Sequence, residues 1–265
     1  MVTAVAIVAV RNEAIHVRRC IRDLIRDGIE VIMVDNDSTD GSAELAREFL
    51  GHGLLSIRRL AYRGTFSLSD ILAFKKTIAD TVPHDWVLHV DADEWLRPPK
   101  QCKTLIEGIH AADLQGFNCI NFLEFVFVPK PGESYEAEDY SSLMRTYYFF
   151  APFYPRLVRA WKRSAGLDNR ERAGHVLTGP NTRLFPQDFI LRHYIVLSEA
   201  HARRKYLARK YAPENVAKGW HGNRVIINEQ NIALRTALPL LTLDDPLSSD
   251  LSTANPTRLH FWEWP

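Results

Sequence analysis

The chain has 265 residues, of which 46% are hydrophobic and 25% are charged, and its formal net charge at pH 7 is +1. This is the composition of a globular protein, long enough for one large α/β domain or a domain with a subdomain, and the near-zero charge argues against bulk electrostatic binding to nucleic acid. The three cysteines are odd in number and lack C-x-x-C spacing, which argues against a disulfide framework and a zinc site.

The sequence contains no apolar run near the ~20 residues that a membrane-spanning helix needs. Its apolar start, residues 2–10, also lacks the basic segment that precedes the apolar core of a signal peptide. Together with the unpaired cysteines, these features indicate a cytoplasmic protein. Any membrane contact is expected to be peripheral, at the inner face, or through a partner.

The first hundred residues alternate between strand and helix patterns. Apolar strands are predicted at residues 2–10, 30–34, 54–60 and 86–90, and amphipathic helices at residues 14–27, 42–50 and 69–81. Strands separated by helices of this length pair in parallel through right-handed crossovers. We therefore predict an α/β fold with a mostly parallel sheet flanked by helices.

The second half of the chain is less regular. Strands are predicted at residues 116–128 and 156–161, with an acidic, turn-rich loop at 129–142 between them. The aromatic segment 147–155 is more typical of a core than of a sugar-stacking surface. Residues 199–212 predict a basic helix, solvated by default, with contact to anionic lipid as the alternative.

Polar residues follow all four predicted parallel strands. They are Arg11-Asn12-Glu13, Asp35-Asn36-Asp37, Tyr62-Arg63 and Asp91-Ala92-Asp93-Glu94. Ligands of such sheets bind beyond the carboxyl ends of the strands. The convergence of these groups predicts a functional site at that edge.

The segment Asp91-Ala92-Asp93-Glu94 follows a buried strand, so two carboxylates two residues apart can face one point. Hard divalent cations such as Mg²⁺ and Mn²⁺ prefer oxygen ligands of this kind and bridge to phosphate oxygens. A strand-end Asp also often makes a turn or caps a helix. The neighbouring polar strand ends favour a metal site.

Three segments together resemble the family 2 glycosyltransferases, which have the GT-A fold. They are Val8–Glu13, Val34–Ser42 and Val90–Glu94, of which the second is close to the family pattern V-D-[DN]-x-S-x-D-G-[ST]. The specific part of the resemblance covers residues 1–100, and the remainder agrees only in general layout. It implies a nucleotide-sugar-binding half at 1–100 and an acceptor-side half at 101–265 of the same domain. Separately, the aromatic residues at the end of the sequence suggest that the chain is part of a longer protein or of an assembly.

The resemblance also implies a function. The donor would be a nucleotide-diphosphate sugar, the cofactor Mn²⁺ or Mg²⁺, and the acceptor a hydroxyl of a glycan or lipid-linked glycan. The sugar would be transferred with inversion, in the synthesis of a bacterial surface polysaccharide or glycolipid.

Site residues follow by position in the three segments. Asn12 and Glu13 would approach the nucleoside, Asp35, Asn36 and Asp37 the base and ribose, and Arg63 the diphosphate. Asp91 would hold the ribose and the metal–diphosphate unit, with Asp93 the direct metal ligand. Because the family often has Asp at the position of Asn36, the base itself is not indicated.

The family places its general base on a loop of the second half, often beside a His. The corresponding segment here is 168–175, with Glu171 and His175 ranked ahead of Asp168. Related sequences often have His-Glu at this point, whereas His175 is followed by Val176. Glu171 could equally form a surface ion pair, His175 could be a buried structural residue, and Glu94 is expected to support the metal site.

Three other functions can be weighed from the residues. Asp35-Asn36-Asp37-Ser38-Thr39 also fits the D-x-D-x-T loop of haloacid-dehalogenase-type phosphatases, although a strand–helix unit precedes it. A nucleotidyltransferase would need a Gly-rich loop after the first strand, and Arg11-Asn12-Glu13 has no glycine. A non-catalytic glycan-binding protein is the third possibility, and it would not need the paired Asp91 and Asp93.

Overall fold

The computed structural model of the chain describes residues 2–221, 223–234 and 240–264. Up to residue 114 its elements are β1 (Ala4–Val10), α1 (Ala14–Arg26), β2 (Glu30–Asp35), α2 (Ser42–Ala46), β3 (Leu54–Arg59), α3 (Leu68–Thr81), β4 (Trp86–Asp91), β5 (Glu94–Arg97) and α4 (Leu105–Leu114). They are followed by β6 (Cys119–Phe127), α5 (Tyr140–Leu143), β7 (Thr146–Phe150), β8 (Leu157–Lys162), β9 (Phe189–His193), α6 (Glu199–Tyr206), α7 (Pro213–Ala217) and β10 (Leu241–Thr242).

Most predicted elements are confirmed within three residues of their predicted ends. The predicted helix at 42–50 is shorter, because α2 ends at Ala46 and continues as a 3₁₀ turn over Arg47–Phe49. The predicted helix at 199–212 is also shorter, since α6 ends at Tyr206 and a separate helix begins at Pro213, where the ring suits a first helical turn. Several elements were not predicted, namely the strands β5, β7, β9 and β10 and the helices α4 and α7, and α5 lies in the segment 129–142 that was predicted as a loop.

The chain divides into two compact units. Unit 1 comprises Met1–Tyr62, Leu68–Leu123 and Pro155–Leu191, and unit 2 comprises Arg63–Ser67, Glu124–Tyr154 and Arg192–Pro265. The predicted functional boundary at residue 100 concerns ligand binding and stays a prediction.

Unit 1 is built on a sheet that is parallel on one side and antiparallel on the other. Strands β3, β2, β1 and β4 lie in that order, and each neighbouring pair is parallel. Beyond β4, the strand β8 is antiparallel and pairs in turn with the first residues of β6. This sheet with its helices confirms the predicted α/β class, and the strands β1 to β4 form its parallel part.

Both faces of the unit 1 sheet are buried, as expected for parallel strands connected by helices. Alternate residues of β1 separate into two cores. Ala6 and Val8 pack with α1 and α4 residues such as Ile21 and Ile109, whereas Val5 and Ile7 lie in the core that includes Ala79 of α3. Helices on both sides therefore fix the strand ends that carry the predicted site.

Unit 2 has an aromatic core. The end of β6 pairs antiparallel with β7, and β7 pairs with β10. Its core includes Tyr148 and Phe150 of β7 together with Phe261, Trp262 and Trp264. The core interpretation of the aromatic segment is thus confirmed for β7, while two residues that follow it, Phe153 and Tyr154, are exposed.

The basic side chains of α6 form ion pairs. Arg203 pairs with Glu199 and Glu229, and Arg204 pairs with Glu136. These pairs support a solvated helix rather than a lipid-binding one. Among the described residues, no helix has the length and apolar character required to cross a membrane.

Candidate active site

The connections after β1, β2 and β3 are interlocked at the carboxyl edge of the unit 1 sheet. Arg11 donates from Nη1 to the backbone oxygens of Asn36 (2.6 Å) and Asp37 (2.7 Å). Its guanidinium also lies 3.3 Å from the centroid of the Tyr62 ring. One side chain therefore joins three strand ends, which makes this edge a defined surface rather than three separate loops.

Asn12 and Glu13 lie in the β1 connection, as predicted, and both contact the β2 connection. Asn12 has a left-handed backbone with φ of 55°, and its Oδ1 accepts the Thr39 N–H at 2.8 Å. Its own N–H donates to the Ser38 Oγ at 3.1 Å, and the Glu13 N–H donates to the Ser42 Oγ at 2.9 Å. The side-chain oxygen of Asn12 already accepts a hydrogen bond within the loop. The Nδ2 group of Asn12 is therefore the part of the side chain that can bind a ligand.

Asp35 and Asn36 have distinct local roles at the end of β2. Asp35 accepts the N–H of Ser38 at Oδ1 (3.1 Å), a side-chain-to-backbone hydrogen bond that closes the start of the loop after β2. Asn36 is 5% exposed and donates from Nδ2 to the Leu60 carbonyl at 2.9 Å. The side-chain amide of Asn36 therefore joins the end of β2 to the segment that follows β3. Asp35 is more exposed, and it shapes the loop that follows β2.

Asp37 is held as an anion by the chain itself. Its Oδ1 accepts Arg59 Nε at 2.5 Å and its Oδ2 accepts the Tyr62 N–H at 2.9 Å. These two hydrogen bonds hold the pKa of the Asp37 carboxyl below its ordinary value, although the group is open to solvent. Asp37 is consequently a charged hydrogen-bond acceptor and a poor proton donor.

Asp40 joins the two helices that begin at this edge. Its Oδ2 accepts the N–H of Ala14, the first residue of α1, at 2.9 Å, and its Oδ1 accepts the N–H of Ser42, the first residue of α2, at 3.0 Å. A carboxylate at a helix N-terminus satisfies an unpaired backbone donor and the positive end of the helix dipole. The capping-rich segment predicted to start α2 thus also caps α1.

The D-x-D carboxylates lie on the turn between β4 and β5. The Asp91 side chain is 46% exposed, whereas Asp93 as a residue is only 7% exposed. Burial raises the pKa of the Cys20 thiol to about 12, and Asp93 is one of the carboxylates whose charge adds to that shift. Asp91 is therefore the more accessible carboxylate of the motif.

Glu94 and Arg159 close a ring of hydrogen bonds around Asp91. Glu94, which is 2% exposed, accepts the Asp91 N–H at Oε2 (3.0 Å). Arg159 of β8 donates from Nη2 to Oε1 of Glu94 and lies 3.4 Å from Oδ2 of Asp91. Glu94 thus has the supporting role expected for it, and it orients both the backbone and the carboxylate of Asp91.

Three basic side chains from three different elements contact this turn. This buried basic trio consists of Arg19 of α1, Lys75 of α3 and Arg159 of β8, each at most 5% exposed. Arg19 donates from Nη2 to the carbonyl oxygens of Ala92 (3.1 Å) and Glu94 (2.9 Å). Buried charges require such partners, and here the partners are the backbone and carboxylates of the motif.

Lys75 connects the turn to the histidine that precedes it. Its Nζ donates to the Val90 carbonyl at 2.9 Å and lies 3.9 Å from Oδ1 of Asp91 and 3.5 Å from Nδ1 of His89. Burial lowers the pKa of the Lys75 amine to about 8, although the Asp91 charge acts in the opposite direction. Burial and the nearby cations also hold the pKa of His89 well below its ordinary value, so this imidazole is neutral.

The segment that carries the candidate bases lies next to the carboxyl end of β4. Asn169 Nδ2 is 3.3 Å from Nδ1 of His89, and the His175 carbonyl accepts the Val158 N–H at 2.7 Å. The structure therefore brings Asp168, Glu171 and His175 into the same unit as Asp91 and Asp93.

The three candidate bases differ in their surroundings. Burial raises the pKa of Asp168, but its hydrogen bonds to Arg170 outweigh this and hold the pKa below its ordinary value. Glu171 is exposed on the 3₁₀ turn Arg170–Arg172, and none of the described residues forms an ion pair with its carboxylate. His175 is half-buried. A surface ion pair between Glu171 and a neighbouring Arg was the alternative considered above. Arg170 forms its ion pair with Asp168 and not with Glu171.

Arg63, the predicted diphosphate contact, is an exposed residue of unit 2. The other predicted donor-site residues belong to unit 1. The proposed contact between Arg63 and the diphosphate therefore stays a prediction.

The D-x-D turn fits a metal ion that takes most of its ligands from phosphate and water. The described part of the chain contains no group of three His, Cys, Asp or Glu side chains able to hold a metal ion. Mg²⁺ usually keeps several waters and is bound by one or two carboxylates together with substrate phosphates. The half-exposed Asp91 carboxylate meets that requirement, and the structure provides no separate all-protein cage.

Sequence reasoning did not find the buried basic trio, His89 or Asn169. The trio and His89 lie in segments whose pattern indicates only secondary structure, whereas Asn169 lies in the segment 168–175 but was not itself assigned a role. A signal was present in two strands, because His89 interrupts the apolar run 86–90 and Arg159 interrupts the run 157–161. A polar residue on a fully buried strand needs a partner, and the acidic segment after β4 was the available one.

The chain has relatives among curated proteins, and they are similar to it over part of its length. A protein of Rickettsia bellii (strain RML369-C), named an uncharacterized glycosyltransferase, is 34% identical over 111 residues, which are 42% of this chain and 33% of that protein. A protein of Rickettsia felis (strain ATCC VR-1525 / URRWXCal2) with the same name is 33% identical over 110 residues, which are 42% of this chain and 35% of that protein. The chain thus spans about a third of the length of the curated relatives it matches.

Among solved structures, S. aureus TarS 1–349 in complex with UDP-GlcNAc is similar over 78% of this chain and 65% of that chain, with 12% identity and a TM-score of 0.45. The family model for glycosyl transferase family 2 matches residues 5–153, more than half of the sequence and all three segments that carried the resemblance. The chain therefore belongs to glycosyl transferase family 2.

Proposed function

We propose that the chain transfers a sugar from a nucleotide-diphosphate donor to a hydroxyl of a glycan or lipid-linked glycan, with the aid of Mg²⁺ or Mn²⁺ and with inversion. The observation that carries this proposal is the position of Asp91. In a chain of this family, its half-exposed carboxylate ends the parallel strand β4, while Asn12 follows β1 and Asp35 ends β2 at the same edge of the sheet.

The donor-binding residues are proposed in two groups. The nucleoside is met by Asn12, Glu13, Asp35, Asn36 and Asp37, and the diphosphate by Arg63, Asp91 and Asp93. Their polar groups at one sheet edge support the first group, apart from the buried amide of Asn36, which serves the β2–β3 connection. Exposure favours Asp91 over Asp93 as the carboxylate that first meets the metal–diphosphate unit.

The reaction requires that the acceptor hydroxyl lose its proton as its oxygen bonds to the anomeric carbon and the diphosphate leaves. When bound, the metal supplies charge neutralisation of that leaving group. We propose Glu171 as the proton acceptor, because its carboxylate is exposed and unpaired among the described residues, with His175 as the second candidate. Asp168 is third, since Arg170 occupies both of its oxygens. A single displacement inverts the anomeric carbon.

The test is a thermal-shift panel of UDP-, GDP-, dTDP- and CMP-sugars, with and without Mn²⁺. A ligand that binds only the folded chain raises the melting temperature. We expect a metal-dependent shift with one nucleotide class that is lost in Asp91→Ala and Asp93→Ala. Glu44→Ala is the matched control, because Glu44 is an exposed carboxylate of α2 that pairs with Arg47 of the following 3₁₀ turn.

An absence of any shift in a well-folded sample would contradict donor binding. With a donor identified, Glu171→Gln is expected to reduce transfer by about 10²- to 10⁴-fold while the donor-dependent shift is kept. A fall of that size in His175→Gln instead would move the base to His175.

The phosphatase alternative is not favoured. A phosphatase that uses the second Asp of D-x-D-x-T as a proton donor needs that carboxyl protonated, and the hydrogen bonds of Asp37 hold its pKa low. We further propose a cytoplasmic location, supported by the free thiols of Cys20, Cys102 and Cys119, and a role in surface glycan synthesis, which rests on the family resemblance.

A further inference from the structure

His89 lies between the D-x-D turn and the loop of the candidate bases. It is 3% exposed on β4, two residues before Asp91. Its Nδ1 faces two donors, Asn169 Nδ2 at 3.3 Å and Lys75 Nζ at 3.5 Å. A charged ammonium can only donate, so Nδ1 is the unprotonated nitrogen of the ring. The ring proton is therefore on Nε2, which lies 3.8 Å from Oδ1 of Asp91.

The loop is fitted closely around this contact. Asn169 is 5% exposed, and its carbonyl accepts the Gly174 N–H at 2.9 Å. Gly174 has φ of +77°, and a Cβ built on it would lie 3.4 Å from Cε1 of His89 and 3.1 Å from Cδ2 of Leu72. Asn169 and Gly174 thus enclose the 3₁₀ turn that carries Glu171. Asn169 contacts the imidazole, and a side chain at position 174 would press against it.

We propose that His89 is a positioning residue that fastens the loop 168–175 to Asp91 through Asn169, so that the proton acceptor is held at a fixed place relative to the donor site. This inference rests on the proposed function, since it assigns the loop to the same reaction. His89 and Asn169 are too buried to contact substrate themselves. Their effect on the reaction passes through Asp91 on one side and Glu171 or His175 on the other.

The first test needs no nucleotide. Histidine ¹⁵N NMR of the wild type is expected to show the neutral ring of His89 protonated at Nε2. Amide hydrogen exchange in residues 168–175 is expected to rise by about tenfold or more in Asn169→Ala, because the loop loses its fastening. His89→Asn should keep the loop protected, since the Asn oxygen can replace Nδ1 as the acceptor. An unchanged loop in Asn169→Ala, or a proton on Nδ1, would overturn the proposal.

The second test separates positioning from mere stability. With whichever UDP-, GDP-, dTDP- or CMP-sugar shifts the wild type, Asn169→Ala is expected to lower kcat by about 10- to 100-fold, because small misplacements of reacting groups have effects of this size. The donor KM should change by less than about twofold, since the groups proposed to bind the donor are intact. Thr182→Ala, an exposed change in the same unit, is the control and should alter neither constant.

The outcomes remain distinguishable. If Asn169→Ala does not fold, Asn169→Leu replaces it, because its side chain has nearly the same size and can neither donate to Nδ1 nor accept from it. A loss of kcat in Asn169→Ala that accompanies faster exchange of residues 168–175 supports fastening, whereas equal values of kcat in Asn169→Ala and the wild type overturn it. A wild type that binds no nucleotide sugar contradicts the proposed function, while the exchange experiment still decides the fastening.

Discussion

Arg159 contacts Glu94 and Asp91 on the same side of the D-x-D turn, and the first of these carboxylates is almost completely buried. Removing one partner of a buried ion pair leaves an uncompensated charge, which typically costs about 3–5 kcal/mol. Arg159→Met is therefore expected to lower the free energy of unfolding by that amount, measured by urea denaturation.

The double change Arg159→Met with Glu94→Met should recover much of this loss, because no buried charge remains. Lys162→Met is the control, since Lys162 lies on the same strand and pairs with Asp113 nearer the surface, and it should cost about 1 kcal/mol or less. Equal instability of the single and double variants would show that Arg159 acts through packing rather than through its charge.

Lys75 predicts a pH dependence of stability. Burial lowers the pKa of its amine from 10.5 to about 8 in the folded chain. Between these values the unfolded chain binds the additional proton, so the free energy of unfolding rises as the pH increases from about 8 to 10.5. Below pH 8 Lys75 is charged in both the folded and the unfolded chain. Burying the charged amine then lowers the free energy of unfolding by about 3 kcal/mol, as calculated from the difference between the two pKa values.

Lys75→Met is therefore expected to be more stable than the wild type at pH 7, with an advantage that shrinks toward pH 10.5. Urea denaturation at pH 7 and pH 10 measures it. Lys76→Met, the next residue of α3, should change stability by less than about 0.5 kcal/mol at either pH, because its pair with Asp80 is near the surface. A stability difference that does not vary with pH would contradict this origin.

At the scale of elements, alanine substitutions at two glycines can distinguish the cost of backbone strain from the cost of a steric contact. Gly166 has φ of +65° and nothing within 4 Å of a Cβ built on it, whereas Gly174, with φ of +77°, would place its Cβ against Leu72 and His89. Gly166→Ala should cost about 1 kcal/mol, the usual strain of a left-handed alanine. Gly174→Ala is expected to cost about 1–3 kcal/mol more, since its methyl group also disturbs the packing.

Chemical denaturation of the two variants gives the comparison. Gly174→Ala should also accelerate amide exchange in residues 168–175, and Gly166→Ala should not. Similar costs in the two variants would mean that the loop can move away from the imidazole without loss.

The elements that could be predicted from sequence are those whose signal is local. The strands and helices of the first hundred residues show clear periodicity, and Asp91 and Asp93 could be placed at a strand end because an apolar run stops there. The trio of Arg19, Lys75 and Arg159 could not be predicted, because its members are far apart in sequence and meet only through the packing of α1, α3 and β8. The shortened α6 has a local cause, since Pro213 starts a helix of its own.

At the scale of the whole molecule, unit 2 depends on aromatic residues near the end of the described chain. Trp262 is 2% exposed in the core with Tyr148 and Phe150, and His260 stacks on Phe150 with ring centroids 3.9 Å apart. Trp262→Ala is expected to destabilise this unit by about 3–5 kcal/mol, because it leaves a large cavity. Amide exchange in β7 measures the effect.

Phe153→Ala is the control for that change. Phe153 is an aromatic residue of the same unit but is 54% exposed, so its removal should alter stability by less than about 0.5 kcal/mol. If β7 exchanges at the same rate in Trp262→Ala and the wild type, the aromatic residues at 261–264 do not hold this core together.

The burial of Phe261, Trp262 and Trp264 also sets an order of events on the ribosome. Every residue of unit 1 precedes position 192, so its core is complete as a sequence well before synthesis of the described chain ends. Unit 2 lacks part of its core until residue 264 has been added. At an elongation rate of about 5–20 residues per second, this interval lasts on the order of several seconds. During it the nascent chain exposes β7 and its aromatic side chains, and that is when protection from aggregation by a chaperone matters most.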